Sequence, residues 1–435
     1  MSDLKICKRC LYPIQHPFGL TFIDVICSGC YIHEEKYTID WNDRFSDLLK
    51  VVEKSKKNRK STFDCVIPIT GSGDTYFTID FVVNKLGLNP LLVHYNTHFN
   101  TPVGIRNLSN ISNSFNCDIV SSVNAPGLLK KIALGGLENF GNFYWHAMAG
   151  YLTFPVQTAV KYKIPLIIWG VNGWMDQVGM YSHLDSVEMT QRCREEHGLQ
   201  GMHPNDLMNI LPGLSNRDMN NFVYPANSKV ASLGLKGIYL NNYIFWDSKL
   251  QHEQMIREFK YETRPMERTF NNYEDAGCLY ANGANDYLRY LKYGFSKVSD
   301  HVSRDIRLKR LSIETGRKYI LDYTTHIPSD IANLCDWLEI PESRFYKAAK
   351  KFKSPTFFKD FDSQDSIFLE SLQNIDLSEY NKFKLTDEDK DVLYILTDNR
   401  EETDEKRQIM IGRVYADKYN YGAVNDSPVG AGKLI

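Results

Sequence analysis

Cys65-Val66-Ile67-Pro68-Ile69-Thr70-Gly71-Ser72-Gly73-Asp74-Thr75 decides how this chain is read, because an apolar strand ends at Ile69 and a helix-like run, Tyr76 to Leu86, begins just beyond Thr75. That junction suits an anion. Two glycines remove Cβ atoms so that the backbone can close around an oxyanion, the hydroxyls add donors, and a helix N-terminus presents unpaired N–H groups with a partial positive charge. Asp74 cannot bind a phosphate directly, but it can hold a magnesium ion that bridges phosphate oxygens. The plainer alternative is an ordinary strand-to-helix turn in which Asp74 only caps the helix.

Two familiar glycine motifs do not fit. A Walker loop needs four residues between its glycines and a Lys after the second, and a dinucleotide fingerprint needs a third Gly where Tyr76 stands. Thr70 to Thr75 instead resembles the Ser-Gly-Gly-x-Asp-Ser loop of the ATP pyrophosphatase (PP-loop) enzymes. Ser72 replaces a Gly of that pattern and Gly73 lies where a Lys is frequent.

Outward from the loop, strands and helices alternate: strand 64–69, helix 75–86, strand 90–95, helix 102–115, strand 118–123, helix 126–134, and a long helical stretch, Trp145 to Tyr162. The apolar run Ile164-Pro165-Leu166-Ile167-Ile168-Trp169 follows and reads as a strand buried on both faces. This is a parallel α/β pattern, and ligands of such sheets bind beyond the carboxyl ends of the strands. The segments expected to converge there are Thr70 to Thr75, Asn96-Thr97-His98 and Gly170-Val171-Asn172-Gly173. Beyond residue 200 amphipathic helices dominate, at Asp247 to Phe259, Asn285 to Tyr293 and Asp300 to Leu311. Four regions are expected: a ribbon with a connecting helix (1–60), a nucleotide-binding core (61–200), a mainly helical region completing the cleft (201–355), and an acidic, partly flexible tail (356–435).

Composition narrows the function. Fifty-one basic and fifty-three acidic residues give a net charge of −2, which argues against a nucleic-acid partner and for a small-molecule substrate. No run approaches the roughly 18 apolar residues of a membrane span, so a cytoplasmic protein is expected. Of nine cysteines, Cys7-x2-Cys10 and Cys27-x2-Cys30, sixteen residues apart, have the spacing of a four-thiolate zinc site. A structural zinc site is the leading reading; an iron–sulfur cluster and redox dithiols are the alternatives.

Taken together, these cysteines, the loop, Leu91-Leu92-Val93 with Asn96, Ile164 to Gly170 with Asn172, Gly237 to Asp247, Asp286 to Phe295 and Asp300 to Arg307 resemble the bacterial N-acetyl sugar amidotransferases, over roughly residues 5 to 355. The resemblance implies a PP-loop (HUP-type) parallel-sheet core with an N-terminal zinc ribbon. It also implies ATP-dependent conversion of an acetamido to an acetamidino group on a nucleotide-linked N-acetyl sugar, in lipopolysaccharide or flagellin-glycan synthesis. A glutaminase subunit resembling the histidine-biosynthesis pair would supply ammonia. The family's Cys-x-x-Cys-His segment is replaced here by Tyr144-Trp145-His146-Ala147-Met148.

On this reading Asp74 is the magnesium ligand and catalytic residue, and Thr70, Gly71, Ser72, Gly73 and Thr75 form the pyrophosphate cradle. Asn96, Gly170 and Asn172 border ATP, with plain turn roles open for both asparagines. His98, His146 and Arg304 are the candidate substrate contacts, beside the alternative of satisfied core or surface groups. Arg304, Arg307, Lys309 and Arg310 read as one basic helical face, whereas His183, Asp185 and Glu188 do not share a helical face. Two other functions stay open: a tRNA-modifying PP-loop enzyme, and a degenerate nucleotide-binding scaffold for the glutaminase.

Overall fold

The computed structural model describes residues 4–17 and 20–380. Two short strands, β1 (Phe22–Ile23) and β2 (Ile26–Cys27), pair antiparallel in the ribbon. The helices α1 (Ser28–Glu35) and α2 (Trp41–Asn58) follow. Asp40 caps α2 by accepting from the amide of Asn42.

The core sheet contains β3 (Cys65–Ile69), β4 (Pro90–Asn96), β5 (Ile119–Val123), β6 (Leu166–Trp169) and β7 (Lys236–Tyr239) in the order β5-β4-β3-β6-β7, all pairs parallel. Side chains of β3 alternate as strand geometry demands. Cys65, Ile67 and Ile69 join one apolar layer with Leu48 and Val52 of α2, whereas Val66 joins another layer on Val156 and Ala159. The helices α3 (Gly73–Asp80), α4 (Pro102–Phe115), α5 (Pro126–Phe140) and α6 (Trp145–Tyr162) cover the sheet between its strands. This is the expected α/β class. The helix expected at 75–86 begins at Gly73 and becomes a π-helical turn over Phe81–Lys85. Strand order reverses between β3 and β6, whose pairing runs through Val66↔Ile167. Pro68, two residues on, has no N–H to extend that ladder, and the crevice opens there.

The ribbon shares one hydrophobic core with the C-terminal helices: Cys7, Tyr12, Phe22 and Tyr31 belong to the same buried cluster as Phe295, Val302, Ile320 and Phe368. The ribbon and the connecting helix α2 therefore serve different cores, although sequence reading grouped them. A second correction concerns the tail. Within 356–380, Phe358, Phe368, Leu369 and Leu372 are buried in that cluster, because Ile367–Asn374 forms a helix capped by Ser366. The rest of the expected tail, 381–435, lies outside the described residues. No helix among the described residues is long and apolar enough to cross a membrane.

Candidate functional site

The loop after β3 is shaped by its glycines. Gly71 has φ +72°, in the left-handed region, and a Cβ there would stand 3.1 Å from the carbonyl oxygen of Gly104. Gly73 serves a neighbour: a Cβ on it would lie 2.1 Å from Cδ2 of His252. Ser72 occupies the N-cap position of α3, yet its hydroxyl makes no capping hydrogen bond. It faces its partners across the loop instead. Ser72 Oγ lies 3.1 Å from Thr70 Oγ1 and 3.2 Å from Thr75 Oγ1, and those two threonine oxygens are 3.4 Å apart. Three hydroxyls thus meet above the N-terminus of α3, where its first amides point.

Asp74 follows as the second residue of α3 and is not the helix cap. Its carboxylate, 27% exposed, lies 3.5 Å from His252 Nδ1 and 3.4 Å from Ser248 Oγ. Burial pushes the Asp74 carboxyl up to about 6; His252 and Arg304 oppose the rise, and Glu274 and Asp275 add to it. Ser248 also donates to Glu274 Oε1 at 2.6 Å, which Arg304 Nη1 reaches at 2.8 Å, and His301 Nε2 stands 3.2 Å from Oε2. Against the cost of burial, Arg304 and His301 hold Glu274 well below the usual carboxylate range. Nδ1 of His252 donates to the Ser248 carbonyl at 2.7 Å, and its buried Nε2 has no hydrogen-bond partner among the described residues.

Ser248, His252, Glu274 and His301 were not singled out from sequence. They lie more than 170 residues beyond the loop, His301 inside the quoted Asp300 to Arg307 stretch and the others outside any quoted motif, and only the fold brings them to Asp74.

Both strand-end asparagines serve turns, and Asn172 Nδ2 is buried without a hydrogen-bond partner among the described residues. Asn96 Oδ1 accepts from the amide of His98 and from Asn100 Nδ2, both at 2.9 Å. Asn172 is buried, caps the short Gly173–Asp176 helix by accepting from the amide of Met175, and donates its own backbone amide to Asn241 Oδ1 at 2.9 Å. Gly170 lets the end of β6 approach α3, since a Cβ there would stand 2.8 Å from Thr78 Oγ1.

The expected basic face divides among three partners. Arg304 goes to Glu274, Arg310 to Asp247, and Arg307 to the ribbon, where it donates to the sulfurs of Cys10 and Cys27 at 3.5 Å and to the Gln177 carbonyl at 2.8 Å. Lys309 has φ +57°, beyond the end of the Lys297–Arg307 helix, so it is not on that face at all.

The four ribbon sulfurs all lie within 4.8 Å of one another, with separations of 3.8 Å for Cys7–Cys30, 3.6 Å for Cys10–Cys27 and 3.7 Å for Cys27–Cys30. A tetrahedron with Zn–S of about 2.3 Å has edges of about 3.8 Å. The set therefore fits one tetrahedral ion. Such an ion would be closed to water and structural, tying the strand end at Cys27 and the first turn of α1 at Cys30 to the N-terminal knuckle. Gly29 gives Arg307 its path, because a Cβ there would lie 2.4 Å from the guanidinium.

A cavity of about 560 Å³ opens on the other side of the segment 273–278 and contains no residue of the loop. Tyr144, the N-cap of α6, and Met148 and Tyr151 within it line it at i, i+4 and i+7. His146 falls on the opposite side of the helix, fully buried 5.0 Å from the Phe99 ring, where desolvation lowers it to about 3. His98 Nε2 donates to the Asn124 carbonyl at 3.0 Å. None of His98, His146 and Arg304, the expected substrate contacts, lines the cavity.

Residues 267–373 match the family model described as LPS biosynthesis protein WbpG-like, C-terminal domain. Among curated proteins none matches the chain. Among solved structures it is similar to NMN synthetase from Francisella tularensis, at 11% identity over 52% of this chain and 99% of that one, with a TM-score of 0.26, too low to carry a functional conclusion. The WbpG-like stretch holds Glu274, His301 and Arg304 of the loop side, Arg307 of the ribbon contact, and one wall of the cavity.

Proposed function

We propose that this protein is an ATP-dependent, AMP-forming ligase of surface-polysaccharide sugar synthesis that converts the acetamido group of an N-acetyl sugar into an acetamidino group. The observation that carries the reading is the loop: three hydroxyls converging at the N-terminus of α3, with Asp74 beside them. The WbpG-like stretch supports the sugar pathway.

An amide carbonyl is a poor electrophile, so its oxygen must become a leaving group. The amide oxygen attacks the α-phosphorus of ATP, and the bond to pyrophosphate breaks. Ammonia then adds to the imidate carbon and AMP departs with the original oxygen, leaving nitrogen in its place. Thr70, Ser72, Thr75 and the first amides of α3 hold the departing pyrophosphate. Asp74 is the residue that would hold a magnesium ion, which would supply positive charge against the pyrophosphate. Arg304, fixed by Glu274, adds positive charge at the same rim. A glutaminase subunit is the proposed source of ammonia.

The test is pyrophosphate release from MgATP by the full chain with ammonia, across nucleotide-linked N-acetyl sugars, with Asp74→Ala as control. Sugar-dependent release that Asp74→Ala abolishes supports the ligase. ATP binding without release for any sugar makes the protein a nucleotide-binding scaffold, and copurifying RNA that elicits release makes it an RNA-modifying enzyme.

A further inference from the structure

Of the carboxylates around the loop, Asp74 is the one without a close partner. Glu274 is matched by Arg304 and His301, and Asp275 by Lys297, whereas Asp74 pairs with no lysine or arginine among the described residues. Its nearest side chains are Ser248, with Oγ 3.4 Å from Oδ1, and His252, with Nδ1 3.5 Å from the same oxygen. Both project from one face of the Ser248–Phe259 helix, at i and i+4.

Each of these neighbours commits its proton elsewhere. Nδ1 of His252 donates to the Ser248 carbonyl at 2.7 Å. The Ser248 hydroxyl has a single hydrogen, and two carboxylate oxygens compete for it. Glu274 Oε1, at 2.6 Å and kept ionised by Arg304 and His301, takes it in preference to Asp74 Oδ1 at 3.4 Å. Ser248 Oγ therefore turns lone pairs toward Asp74.

Two oxygens that face each other without a hydrogen between them make up part of a cation site. Magnesium takes oxygens at about 2.1 Å, which sets neighbouring ligands about 3.0 Å apart, so a pair at 3.4 Å needs to close by only about 0.4 Å. The donor set suits the ion: one carboxylate and one hydroxyl also hold magnesium in P-loop enzymes. Ser248 is buried, and its place at the start of the helix fixes the hydroxyl between the two acids.

We infer that Ser248 Oγ is the second protein ligand, beside Asp74, of the divalent cation that accompanies ATP, and that Glu274 makes it one by holding the hydroxyl proton on the far side. The inference rests on the ligase reading for the presence of ATP. Glu274 acts through Ser248 and is a positioning residue.

The experiment is titration of the full chain with Mn2+, the free ion read by electron paramagnetic resonance, with and without α,β-methylene-ATP, which cannot release pyrophosphate. Ser248→Ala should weaken nucleotide-dependent Mn2+ binding by about tenfold or more, and Ser248→Thr, which keeps the hydroxyl, should stay within about threefold of the parent. Ser248→Cys separates a ligand from a structural hydrogen bond. It keeps the size of the side chain and a proton for Glu274 but offers a sulfur, which a hard cation rejects, so it should fall with Ser248→Ala. Thermal melts without metal confirm that each variant is folded, and the cysteine variant decides if the alanine variant is not. Mn2+ binding that Asp74→Ala abolishes but Ser248→Cys leaves within about twofold of the parent overturns the ligand and leaves the ligase reading standing. Absence of nucleotide-dependent Mn2+ binding in the parent chain overturns both.

Discussion

The imidazole of His252 occupies the space that a side chain at Gly73 would need, with Cδ2 2.1 Å and Nε2 2.6 Å from the position of a Cβ. Because His252 Nδ1 is fixed to the Ser248 carbonyl, the ring cannot simply swing away. Gly73→Ala should therefore cost about 1–3 kcal/mol, as overpacking does. Adding His252→Ala should recover most of that loss. Urea unfolding of the two single variants and the double variant measures the coupling, and strictly additive losses would disprove the contact.

Asp74 makes stability depend on pH in a definite direction. Its carboxyl titrates at about 6 in the fold against an ordinary 3.8, so its contribution is fully present below 3.8 and is lost as pH rises through 6. Asp74→Asn should then be more stable than the parent at pH 8, by about 2 kcal/mol or less given the partial exposure of the side chain. The difference should vanish near pH 4. Unfolding curves at four pH values check the sign, and a variant less stable at pH 8 than at pH 5, relative to the parent, contradicts it.

Arg307 ties the thiolates of Cys10 and Cys27 to the Gln177 carbonyl. Arg307→Met should keep the chain able to bind one zinc but lower stability by about 3 kcal/mol, since a buried charge loses its partner. Metal content by atomic emission, read beside denaturant unfolding, separates this from loss of the ion. Removal of the metal by a chelator should be the harsher change, because the ribbon then loses its cross-link while its core is shared with the C-terminal helices.

Glycines at two helix beginnings should behave oppositely. Gly71→Ala puts a Cβ at φ +72° and 3.1 Å from the Gly104 carbonyl, and should cost about 1–2 kcal/mol and weaken MgATP binding. Gly127, in the first turn of α5, has nothing within 4 Å of a Cβ, and Gly127→Ala should stabilise by roughly 0.5 kcal/mol. Thermal melts of both variants decide the matter.

Sequence alone determined what is local. The β3–loop–α3 junction, the order of the first four core strands with their helices, and the spacing of Cys7, Cys10, Cys27 and Cys30 follow from backbone periodicity and short-range geometry, whereas β7, at Lys236–Tyr239, joins the sheet from a stretch expected to be mainly helical. Averaged composition misled where a few apolar residues mattered, so Phe358, Phe368, Leu369 and Leu372 were read into an acidic tail although they are core. Tertiary structure decided the rest. Nothing in the residues around Ser248, His252, Glu274 or His301 announces that they meet Asp74, because a polar side chain's partner is set by which segments the hydrophobic cores bring together. Likewise the arginines of 304–310 look alike in sequence, and only the packing of the Lys297–Arg307 helix and of the turn after it sends each to a different carboxylate or thiolate.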